Sequence, residues 1–79
     1  MKHREISSEI EKIAKRNVSN KTFFEIKEYL DYNELGIAFE ILCEEIREFR
    51  IQVSDSDYKK IEEIGGYMGE LISPTWKKL

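Results

Sequence analysis

A chain of 79 residues, 41% hydrophobic and 37% charged, holds enough apolar material for one thin-cored domain under a highly charged surface. Such a domain has little room for a ligand-enclosing pocket of about 300 Å³ or more, which points away from an enzyme and toward a binding module. The formal net charge of −3 is unevenly spread: residues 31–70 hold eleven acids against four Lys/Arg, a segment that repels nucleic acid and suits a basic protein partner.

In chain order, Ile6, Ile10, Ile13 and Ala14 fall at helical spacing and predict a first helix over about 6–16, closed by Lys15 and Arg16 at its negative end. Residues 17–20 read as a loop. A second helix is expected over about 22–31, with Thr22 as N-cap, Glu25 completing a capping box, and Phe23, Ile26 and Leu30 on one face. Phe24 falls off that face and either packs under the first helix or stands exposed.

The third and strongest helix spans about 34–49, with Leu35, Phe39, Leu42, Ile46 and Phe49 as its stripe and Ala38 beside it. It is expected to be central. Ile37 and Ile41 widen its apolar surface, while Glu40, Glu44, Arg47 and Glu48 occupy the outward arc. Gly36 in its first turn and Gly65-Gly66 in the fourth helix are read as sites of close helix approach.

Residues 50–53 form a connector, since nothing else in the chain could pair with them as a strand. Ser54 caps the fourth helix, with Asp55 and Asp57 complementing its positive end. That helix is expected to bury Tyr58, Ile61, Ile64, Gly65 and Met68 and to expose Lys59, Glu63, Gly66 and Glu70. Pro74 ends or restarts a helix, and Trp76 plugs one end of the core. The fold class is therefore all-α, a compact single-domain bundle of about four helices over residues 1–79 with a short C-terminal turn.

Little chemistry can be assembled from these residues. His3 is the sole histidine and lies in a terminus expected to fray, and Cys43 is the sole cysteine, so neither a nucleophile–base pair nor a zinc set is available. Cys43 reads as a small buried helix residue in a reducing compartment. Asp55-Ser56-Asp57 lacks the glycine and glutamate of a calcium loop. No cofactor, metal or catalytic residue is expected. No apolar run approaches the roughly 20 residues of a membrane helix, and the charged N-terminus is not followed by a secretory core, so a cytoplasmic location is expected.

What remains is surface. Glu40, Glu44 and Glu48 repeat at i, i+4, i+8, a spacing at which like charges repel by a few tenths of a kcal/mol per pair. Four tyrosines (Tyr29, Tyr32, Tyr58 and Tyr67) accompany the acids and are expected chiefly in the core.

Tyr29-Leu30-Asp31 leads into Glu34-Leu35-Gly36-Ile37-Ala38-Phe39-Glu40-Ile41-Leu42-Cys43-Glu44. Val53-Ser54 then opens a helix carrying Tyr58, Ile61 and Ile64, followed by Gly69-Glu70-Leu71 and a Pro74-Thr75-Trp76 ending. In this order the stretch from about Tyr29 to Leu79 resembles the MafI-like immunity proteins, small helical partners of secreted polymorphic toxins in bacterial contact-dependent inhibition. Residues 1–28 lie outside the resemblance.

The resemblance implies a protein that binds a cognate toxin domain, often a nuclease, inside the producing cell and blocks its active site or substrate path. It carries no fixed toxin-contact motif. Helix geometry and charge name Glu40, Glu44, Glu48, Asp55, Glu63, Tyr67 and Glu70 as partner-binding residues, on a monomer or weak homodimer. The alternative is a small adaptor or self-associating regulatory protein using the apolar side of the third helix through Ile37 and Ile41.

Overall fold

The computed structural model describes residues 2–69 and Lys77. Four helices follow one another, α1 (His3–Asn17), α2 (Asn20–Asp31), α3 (Leu35–Glu48) and α4 (Asp55–Met68), and no strand occurs among the described residues. The all-α bundle expected from the sequence is the observed one. Pro74 and Trp76, to which the sequence assigned a helix stop and a core plug, lie outside the described residues.

Helix α1 begins three residues before its first apolar position. The Ile6 N–H donates to the Lys2 carbonyl at 3.0 Å, and Glu5 sits in the first turn, where a carboxylate favours the positive helix end. Periodicity reports only the buried part of a helix, here Ile6, Ile10, Ile13 and Ala14, so the polar first turn escaped it. His3 therefore belongs to a helix and not to a frayed end, and its Nε2 lies 2.6 Å from Asn33 Oδ1.

Helix α2 is capped by Ser19, not Thr22. The Ser19 Oγ accepts from the Thr22 N–H at 3.3 Å, leaving the Thr22 hydroxyl to donate to Glu45 Oε1 at 2.5 Å. The Ser19 N–H donates to the other oxygen of the same carboxylate, 3.2 Å away. Glu45 of α3 thus closes the N-terminus of α2 from outside, which satisfies donors that the helix itself leaves open.

Helices α2 and α3 end in the same way. At the end of α2 the Glu34 N–H donates to the Tyr29 carbonyl at 2.8 Å and the Asn33 N–H to that of Leu30 at 3.0 Å, with Asn33 at φ 65°. At the end of α3 the Ile51 N–H donates to the Ile46 carbonyl at 3.0 Å and the Arg50 N–H to that of Arg47 at 3.3 Å, with Arg50 at φ 50°. Both are Schellman endings, whose left-handed residue is normally Gly and sometimes Asn. Arginine there carries a strain of roughly 1 kcal/mol. The connector that follows is irregular, as expected, and Ile51 and Val53 pack against the core.

The core unites Ile6, Ile10, Ile13, Ile26, Phe39, Leu42, Cys43, Ile46, Ile61, Ile64 and smaller neighbours in one cluster. Helix α3 contributes six buried side chains, the most of any helix, and packs most extensively against α2 and then α1, in keeping with the central place expected of it, while α1 also touches α4. Phe49 leaves the expected stripe because α3 ends at Glu48; it caps the helix and stays 66% exposed. Tyr58 likewise falls on the exposed side of α4 instead of in the core. Gly65 is buried, but a Cβ on Gly66 would meet nothing within 4 Å, so close packing does not account for the second glycine. Gly69, at φ 55°, ends α4 in a conformation that L side chains rarely adopt.

Candidate protein-binding surface

Polar side chains of this protein divide into those the fold consumes and those it leaves exposed. The first group centres on Asp57, the third residue of α4 and the only buried charged residue among those described. Ser54 Oγ accepts from its backbone N–H at 3.0 Å, which is the cap expected from the sequence. Its carboxylate accepts from Arg16 Nη2 at 2.6 Å, Arg16 Nε at 3.2 Å and Asn17 Nδ2 at 3.0 Å, tying the end of α1 to the start of α4. The Arg16 hydrogen bond, with help from Asn17 and Ser54, holds the Asp57 carboxyl below its ordinary value against the opposing effect of burial. Asp57 is thus structural.

The second group lies on α3. Glu44 and Glu48 are exposed and have no ion-pair or hydrogen-bond partner among the described residues, and Glu40 is half-buried one turn earlier on the same arc. Glu40 also lines a groove of about 430 Å³ with His3, Glu34, Ile37, Tyr67 and Met68, formed where the starts of α1 and α3 meet the end of α4. Two residues singled out from the sequence, Glu40 and Tyr67, are therefore neighbours in space, and Tyr67 is 58% exposed. His3 and Glu34 complete this rim and were not foreseen. Neither helix periodicity nor charge spacing could have placed the first residue of α1 beside the third helix.

The remaining candidates lie elsewhere. Asp55 lines a second groove at the α3–α4 connection, and Glu63 pairs with Lys60 at 3.4 Å in a mixed-charge region with Arg4, Glu5 and Lys12. Glu70 lies outside the described residues. The tyrosines are not chiefly in the core: Tyr29 packs partly against it, while Tyr32, Tyr58 and Tyr67 are exposed, as is Phe24.

Other reactive chemistry is muted. Burial first, and then Glu40 and Glu44, push the Cys43 thiol up to about 12, which keeps it protonated. Among the described residues no group of three or more His, Cys, Asp or Glu is placed to hold a metal ion, and no helix is long and apolar enough to cross a membrane.

Fold and geometry together define a small all-α bundle with an acidic arc on its third helix, bordered by an open groove that Tyr67 lines. Compared with protein-family models, curated proteins and solved structures, the chain matches none of them.

Proposed function

We propose that this chain is an immunity protein that binds a cognate bacterial toxin domain, a basic nuclease, and neutralises it by blocking its active site or substrate path. The observation that carries the reading is the acidic arc of α3. Glu44 and Glu48 are exposed and have no side-chain partner among the described residues, and Glu40 leads from them to the exposed ring of Tyr67. A nuclease is basic where it holds its substrate, and an acidic helix meeting that surface gains a fast, salt-sensitive association. Tyr67 supplies the amphipathic aromatic that such interfaces use as an anchor. The resemblance of residues 29–79 to MafI-like immunity proteins supports the same reading.

The adaptor alternative loses ground on geometry. Ile41 packs partly against the core, which leaves Ile37 as the exposed isoleucine of α3, sharing its groove with Tyr67, and so small an apolar surface is ordinary for a monomer.

The test is copurification with the toxin encoded immediately upstream, followed by a nuclease assay. Stoichiometric addition of this chain is expected to abolish cleavage, and the Glu44→Lys/Glu48→Lys variant to lose at least ten-fold in affinity at moderate salt. Undiminished cleavage in excess of the chain would end the proposal.

A further inference from the structure

A groove of about 420 Å³ lies between the C-terminal end of α3 and the first turn of α4. Its floor is apolar, built from Ile46, Ile51 and Val53, and its rim carries Arg47, Arg50 and Tyr58. We propose that this groove docks a carboxylate-bearing peptide segment of a partner protein. The inference goes beyond the acidic arc and rests on different residues.

Charge is the first argument. Residues 31–70 contain only four basic side chains, and two of them, Arg47 and Arg50, line this one groove. Both are exposed, and neither guanidinium has an ion-pair or hydrogen-bond partner among the described residues, although Glu44 and Glu48 flank Arg47 on its own helix. Two unpaired guanidinium forks over an apolar floor match a carboxylate next to an apolar side chain, because the planar fork grips a carboxylate through two parallel N–H donors.

The backbone adds a second argument. Arg50 occupies the left-handed position of its helix ending, at φ 50°, whereas the equivalent position at the end of α2 is Asn33. The chain therefore uses a residue suited to this geometry at one ending and keeps a strained arginine at the other, beside the groove. A long polyanion is a poor occupant, since Asp55 lines the same groove and Glu48 lies next to Arg47 in the sequence. The fitting occupant is short and singly acidic.

The experiment uses the whole chain, immobilised and panned against a phage-displayed library of random heptapeptides. Enriched peptides are expected to pair an Asp or Glu with an apolar or aromatic neighbour, and to lose at least ten-fold in affinity for the Arg47→Ser/Arg50→Ser variant. Arg50→Asn keeps the fold testable. It is expected to lose at least five-fold in peptide affinity while its Tm is equal to or above that of the parent. Failure to enrich acidic peptides, or equal binding by the double variant, overturns the proposal. So does sedimentation showing a dimer that the double variant abolishes, because the groove would then belong to a second copy of the chain.

Discussion

Asp57 binds to Arg16 across 41 residues of sequence, with 6% of its own surface exposed and 54% of the arginine side chain in water. Its folded pKa is lowered, so its contribution is complete above the unfolded value of about 3.9 and is lost as pH falls through the lower, folded value. Unfolding by urea should therefore show stability declining below about pH 4 in the parent. Asp57→Asn should flatten that acid limb and lower stability at pH 7 by about 1–2 kcal/mol, since the exposed arginine end is screened by solvent. An unchanged acid limb in the variant would assign the decline to other carboxylates.

Helix α3 carries a liability along its exposed arc, where Glu40, Glu44 and Glu48 succeed one another at four-residue intervals. Glu44→Lys turns two unfavourable spacings, to Glu40 and Glu48, into favourable ones against one favourable spacing lost, to Arg47, and each exchange is worth a few tenths of a kcal/mol. The variant should melt about 1–4 °C higher than the parent while binding the proposed basic partner less well, a combination that a purely structural arc would not give. Calorimetry alongside a salt titration of binding reads both.

The helices themselves were legible in the residue pattern, because Leu35, Phe39, Leu42 and Ile46, or Ile6, Ile10 and Ile13, state their period plainly. Their ends were harder to read. Thr22 with Glu25 reads as a capping box, but Ser19 is the cap, and the Thr22 hydroxyl is taken up by Glu45, brought to the start of α2 by the packing of α3. Phe49 and Tyr58 look like core residues on a helical wheel that assumes the helix continues or that one face is wholly covered. Within the candidate surface, the exposure of Glu44 and Glu48 followed from period alone. The adjacency of Glu40 to Tyr67 and His3 did not, because it depends on how three helices meet.

At the scale of the molecule, one cluster of side chains holds every helix, with α3 packed against α2 and α1 and with α1 also touching α4. A chain this small has no second core to fall back on, so loosening any helix exposes the rest. Cys43 reports on that loosening. It is 1% exposed in the middle of α3, with its thiol held at about 12, whereas a thiol in the unfolded chain ionises near 8.5. At pH 8 a disulfide reagent should consequently label the native protein on the order of a thousand-fold or more slowly than the denatured chain. A variant weakened by 1.4 kcal/mol should be labelled about ten times faster than the parent. Rapid labelling of the native chain would mean that α3 separates from its neighbours without global unfolding. The lone thiol is in effect a built-in stopwatch, timing how often the interior meets solvent with no dye or tag attached.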